Sequence, residues 1–172
     1  MRYVIDKKIN IDNDDIIRYT TRIKVLLIND ENEILVGNSF NCYQFIGGHL
    51  EDGENLIDCL NREVLEEVGI ELNIKEANPF LIIDRYYDDK NNIEKKVCCK
   101  YYYYVIKTNL KPNNELTNYT EEEKEGNFKY EYINIDDFEK VITENFKKHE
   151  RAELIGMEML SAFRLYKESL NN

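Results

Sequence analysis

Apolar and polar positions along this chain switch period several times, and each switch marks an element. Residues 21–28 read TRIKVLLI, a β-branched and apolar run that predicts a strand. Turn residues fill 29–32, and 33–36 give a short second strand, so the pair forms an opening hairpin. Residues 42–46 predict another short strand, stopped by Gly47-Gly48. After the Asp52-Gly53 turn, Leu56, Leu60, Val64 and Val68 recur at every fourth position, the stripe of an amphipathic helix. Asn55 suits its N-cap with Asp58 three residues on, and Gly69 suits the left-handed position after its end. Residues 80–87 and 97–108 read as longer strands around a polar turn, and 109–127 as a polar, acidic loop. A strand follows over 128–135, and Asp136 is placed to cap a short helix through Ile142. The last stretch, about 150–170, is an amphipathic helix with the stripe Ile155, Met159, Ala162, Phe163, Tyr166 and Leu170.

Runs of strands with helices inserted asymmetrically predict an α+β fold, or a mixed sheet between helices. The 172 residues suffice for one layered core, and no repeat or linker divides them, so residues 1–172 are expected to form a single domain. No apolar run is long enough to cross a bilayer, and the first residues lack a signal-peptide core. The cysteines (Cys42, Cys59, Cys98 and Cys99) form no CxxC pair, and adjacent strand residues point to opposite faces. Reduced structural thiols and a cytoplasmic location are the expectation. A net charge of -11 argues against binding a nucleic-acid polymer, which needs a basic footprint, though metal-screened phosphate chemistry agrees with it.

The helix at 56–68 changes the picture most. At roughly 100° per residue, Glu63, Glu66 and Glu67 fall within an arc of about 100°. Carboxylates that close repel one another, most of all where water is scarce. A solvated acidic face is the ordinary alternative; otherwise a cation belongs among them, and oxygen-only ligands favour magnesium or manganese over zinc. The run GHLEDGENLIDCLNREVLEEVGI is also patterned in detail. Gly48 is followed after five residues by Glu54, after seven more by Arg62-Glu63-Val64, then Glu66-Glu67 and Gly69-Ile70. With average residue usage a chance match is on the order of one in a million.

That run, over residues 48–70, resembles the box of the Nudix hydrolases, the MutT-related pyrophosphohydrolases, at every fixed position. The resemblance covers roughly residues 21–138, leaving the N-terminal arm and the last helix outside it. It implies a mixed β-sheet sandwiched by helices, here with an added C-terminal helix. It implies Glu63 and Glu67 as principal metal ligands, Glu66 as a ligand or water-positioning carboxylate, and the main-chain carbonyl of Gly47 as a further ligand. Arg62 would hold the catalytic carboxylates in place, or form an ordinary i,i+4 pair with Glu66. Glu54 would support the ligands or the Arg. Gly48, Gly53 and Gly69 would serve loop, turn and helix stop. Family members often recruit a distant loop acid, for which Glu125 is the first candidate and Glu122 the second, ahead of Glu121 and Glu123.

The implied reaction is hydrolysis of the pyrophosphate bond in a nucleoside diphosphate linked to X, with more than one Mg²⁺ and Mn²⁺ as substitute. X ranges over triphosphates, nucleotide sugars, ADP-ribose and dinucleoside polyphosphates. Two other classes share the scaffold: a non-hydrolytic nucleotide sensor, which usually lacks box carboxylates, and an isopentenyl-diphosphate isomerase, which uses His ligands. Only His49 and His149 are present here. Two departures concern substrate preference. Ile46 stands where a proline is common, and Tyr43 and Tyr132 where tryptophan is frequent.

Beyond the box, His49 is expected to be incidental to catalysis. Of Tyr101–Tyr104, alternate rings face opposite sides, so at most two line one pocket. Arg18, Arg22 and Arg85 are placed either to grip a distal phosphate or to form surface ion pairs. The C-terminal stripe is expected first to cover its own domain; a homodimer through it is the second reading.

Overall fold

In the computed structural model, which describes residues 2–6, 15–89 and 91–170, one mixed sheet of seven strands runs between helices. The strands are β1 (Arg2–Asp6), β2 (Ile16–Ile28), β3 (Glu33–Ser39), β4 (Cys42–Phe45), β5 (Leu81–Asp88), β6 (Lys96–Lys107) and β7 (Lys129–Asn134). Six lie in the order β1-β5-β6-β2-β3-β4, and β7 pairs with β3. The β1·β5 and β2·β6 pairs are parallel and the rest antiparallel. The helices are α1 (Leu56–Val68), α2 (Glu121–Glu125), α3 (Phe138–Asn145) and α4 (Glu150–Leu170).

Side chains alternate across a strand, so β2 feeds two cores. Ile23, Val25 and Leu27 pack with Leu60, Val64 and Val68 of α1. Leu26 and Ile28 pack on the other face with Phe138 and Ile142 of α3 and Met159 and Phe163 of α4. Each such aliphatic side chain, fully buried, stabilises the fold by about 1.5–3 kcal/mol. The last helix therefore covers its own sheet, as its stripe predicts, and all four cysteines are buried free thiols. No helix among the described residues is long and apolar enough to cross a membrane.

Five details differ from the sequence reading. β1 was not anticipated, because RYVID is too short to signal a strand without its distant partner β5. β2 begins at Ile16 rather than at residue 21, and pairing with β6 carries its polar first half. The acidic loop contains the short helix α2, closed by a capping box in which Thr120 and Glu123 bond reciprocally. α3 is capped at Asp137, not Asp136, and without a side-chain bond. Leu170 falls off the α4 stripe and is 61% exposed.

Candidate active site

The glycine loop owes its place to β2. Past the end of β4 the backbone continues beside β2 through Val25 N–H to Ile46 O (2.8 Å), Ile23 N–H to Gly48 O (3.0 Å) and Leu50 N–H to Thr21 O (3.0 Å). Gly47 has φ +127°, and a Cβ there would meet Ile23 O at 2.5 Å, so the close approach requires glycine. α1 then starts at Asn55, whose side chain accepts from Ile57 and Asp58 N–H, and ends at Gly69 in the left-handed conformation. No basic residue lies in its last turn. Instead the loop before α2 donates Asn118 N–H to Glu66 O and Asn113 N–H to Val68 O, which satisfies carbonyls the helix leaves open.

Arg62 gathers the carboxylates. Its Nε and Nη2 grip both oxygens of Glu54 (2.8 and 2.9 Å), and Nη1 donates to Glu63 and Glu66 (2.9 Å each). Nη2 also donates to the His49 carbonyl (2.9 Å), so every N–H of the guanidinium is engaged. These bonds hold Glu54 below its ordinary carboxylate range. Glu63 moves the other way, because burial outweighs the Arg62 bond. Its carboxylate lies directly over Gly48, where an added Cβ would come within 2.5 Å of both oxygens.

Glu67 is the most buried of the set, 3% exposed, and accepts the Gly47 N–H at 2.8 Å. Burial pushes its carboxyl up to about 8, opposed by the nearby ammonium of Lys24. Lys24 is itself buried and lowered for the same reason, and it donates to Gly47 O (2.8 Å) and Phe45 O (3.0 Å). The Gly47 residue thus joins Glu67 on one side to Lys24 on the other. Part of the positive charge that the acidic arc demands is supplied by the chain itself, through Arg62 and Lys24. Lys24 escaped sequence reasoning because it sits in an apolar run, although the alternation Arg18, Thr20, Arg22, Lys24 marks a polar face on β2.

Glu54, Glu63, Glu66 and Glu67 against Arg62 and Lys24 leave two formal negative charges in excess. An all-oxygen donor set with that excess fits one hard divalent cation. Among the described residues no three acidic, His or Cys side chains are already drawn into a chelate. Gly47 O, the expected main-chain ligand, is occupied by Lys24.

The distal acids separate on α2. Glu125 is exposed, and among the described residues no hydrogen bond or ion pair ties it to α1. Glu122 pairs with Arg151 at 3.4 Å and Glu121 with Lys124. Glu123 is half-buried, and its carboxylate accepts from the N–H and hydroxyl of Thr120 in the N-cap of α2.

A cavity of about 670 Å³ opens on the α4 face of the sheet and reaches this site at Lys24 and His49. Arg18, Arg22 and Arg85 all line it, as does Tyr101. Tyr103, on the same face, is fully buried, and its hydroxyl donates to Glu158, which also pairs with Arg85. Tyr104 packs with the α1 core. The His49 imidazole accepts from Arg22 Nε at 2.9 Å, and burial followed by Arg22 and Lys24 holds its pKa down. Arg151 and Glu158 of α4 complete the wall. Nothing in their sequence surroundings pointed to them.

A family model described as NUDIX domain matches residues 18–153, further than the 21–138 expected and into the first turn of α4. No curated protein matches the chain. A NUDIX hydrolase from Nitrosomonas europaea is similar in structure, with TM-score 0.55 and 17% identity over 87% of this chain and 89% of its own. A MutT protein from Bacillus halodurans gives TM-score 0.49 and 16% identity, over 75% of this chain and 79% of its own. At these identities the likeness is one of fold.

Proposed function

This chain belongs to the NUDIX domain family and is a Nudix pyrophosphohydrolase, and we propose that it cleaves, with a divalent cation, the pyrophosphate bond of a nucleoside diphosphate linked to X. The observation that carries the finer reading is the buried carboxylate cluster around Gly47 and Gly48, with its two uncompensated negative charges. Glu63 and Glu67, the two buried carboxylates, would hold the cation, Mg²⁺ with Mn²⁺ as substitute, together with the Gly47 carbonyl once Lys24 turns from it. Bound there, such an ion neutralises charge on the pyrophosphate oxygens and lowers the pKa of an attacking water.

The remaining work falls to the chain. Glu66 is the most accessible of the three box carboxylates on α1, its side chain 32% exposed against 12% for Glu63, and it takes the proton of the attacking water. Arg62 fixes Glu66 and Glu63 relative to one another, and Glu54 fixes Arg62. For the distal acid we propose Glu125, with Glu122 second. Lys24, released from Gly47 O, faces the substrate phosphates from the cavity side.

Glu66→Gln and Glu67→Gln test the assignment. Each should lower turnover by orders of magnitude, measured as release of phosphate or nucleoside monophosphate from a nucleotide panel with Mg²⁺ and with Mn²⁺, while the urea midpoint stays near wild type. Near-normal rates in both variants would overturn it.

A further inference from the structure

The cavity on the α4 face is cationic in a chain whose net charge is -11. Arg18, Thr20, Arg22 and Lys24 occupy every second position of β2 and therefore share that face. Register across β6 sets Arg85 of β5 level with Thr20, because both are partners of Cys99. Arg151 of α4 lines the opposite wall. Among the described residues, five cations thus line one cavity against two carboxylates, Asp88 and Glu158. From Arg18 to Lys24 the strand extends about 20 Å at roughly 3.3 Å per residue, far longer than a single pyrophosphate.

The cations are held in differing ways. Glu158, fixed by the Tyr103 hydroxyl, pairs with Arg85 and sets its guanidinium at the cavity wall. Arg22 donates to the imidazole of His49, and among the described residues it has no carboxylate partner. Arg18, itself exposed, reaches the buried Asp89 only at 3.9 Å, and Arg151 reaches Glu122 at 3.4 Å through exposed side chains that gain little from such a pair. Planar guanidinium groups match phosphate oxygens in bidentate fashion. If X were an uncharged nucleoside or sugar, the phosphates of the cleaved bond would lie by Gly47 and Glu67, and these arginines would meet none.

We infer that X carries phosphate of its own: the substrate has one or more phosphoryl groups beyond the bond that is cut, lying along β2 among Arg22, Arg85 and Arg151. This rests on the pyrophosphohydrolase reading and narrows its substrate class. Two readouts separate the two ideas. Diadenosine compounds with two to five bridging phosphates differ only in phosphate number, and wild-type kcat/KM should rise at least tenfold from the two-phosphate to the four-phosphate member. Arg22→Gln and Arg85→Gln should each lose at least tenfold more on the four-phosphate member, through KM. Arg164→Gln, an equal charge loss at the Glu139 pair remote from the cavity, should keep the wild-type ratio. Equal losses on all members, or a flat wild-type series, would overturn the inference. If wild type cleaves none of them, binding of inorganic tripolyphosphate in EDTA, followed by calorimetry, decides the cavity alone. Binding weakened tenfold or more in Arg22→Gln and Arg85→Gln supports it, and binding unchanged in both, or absent from wild type, refutes it.

Discussion

Gly48→Ala should leave the fold standing and disable the site. The backbone at Gly48 lies outside the left-handed region, so alanine is conformationally acceptable there. The new methyl would lie 2.5 Å from both oxygens of Glu63, where ordinary contact begins at 3.4 Å, so the carboxylate must retreat by about 0.9 Å. Because the obstructing atoms are the far end of a flexible side chain, the cost to folding should stay below about 1 kcal/mol. The cost to chemistry is larger. Metal–ligand distances tolerate about 0.2 Å, and a misplacement of about 1 Å lowers rates on the order of 100-fold. Turnover should therefore fall roughly 100-fold, and the Mg²⁺ concentration giving half-maximal rate should rise, while the urea midpoint barely moves. Gly53→Ala supplies the contrast. Gly53 has φ +82° and nothing within 4 Å of its missing Cβ, so alanine there strains the backbone by about 1 kcal/mol without touching a carboxylate. Its stability loss should exceed its turnover loss, the reverse of Gly48→Ala. Turnover and Mg²⁺ half-saturation in Gly48→Ala both within threefold of wild type would show that Glu63 does not work from its position over Gly48.

Arg62→Lys keeps the charge but offers three donors where five are in use, so the two-point grip on Glu54 and the bonds to Glu63, Glu66 and the His49 carbonyl cannot all be kept. Its kcat should fall at least tenfold, and urea unfolding in EDTA should show a loss of about 1–2 kcal/mol, discounted because the Arg62 side chain is 23% exposed; unchanged kcat would remove its positioning role. Burial, with Glu54 and Glu63 adding to it, pushes the Cys59 thiol up to about 12, against an ordinary 9.0 in the unfolded chain. The native state then holds that proton more tightly, so this contribution is complete below pH 9 and is lost as pH rises toward 12. Urea midpoints at pH 8.5 and 10.5 should fall more steeply for wild type than for Cys59→Ala, and parallel slopes would contradict the assignment.

The box was legible because its spacing is covalent. Once α1 forms, residues three and four apart must share a face, whatever the rest of the chain does. Asn55 and Gly69 announced the ends of α1 for the same local reason. The parts that stayed hidden depend on tertiary pairing. Lys24 reaches Gly47 only because the glycine loop is bonded to β2, and β1 exists only because β5 is there to receive it. The short helix α2 was within reach of local reasoning, since Thr120-x-x-Glu123 is a capping signature. The Arg18–Lys24 alternation was likewise present in the sequence, but only the parallel partner β6 shows that the polar half of the run is strand at all.

Glu67 and Lys24 stand on opposite faces of the sheet and meet through one residue, Gly47. A second link is His49, whose carbonyl accepts from Arg62 and whose ring accepts from Arg22. Apart from these two links, the packing of Leu60, Val64 and Val68 lies on one face of the sheet and the arginine wall on the other. Mutational drift in what is bound and constraint on how it is cut can proceed at separate rates on the two faces of one sheet. Gly47 itself, pinned by its φ of +127° and by Ile23, is the position where neither can move.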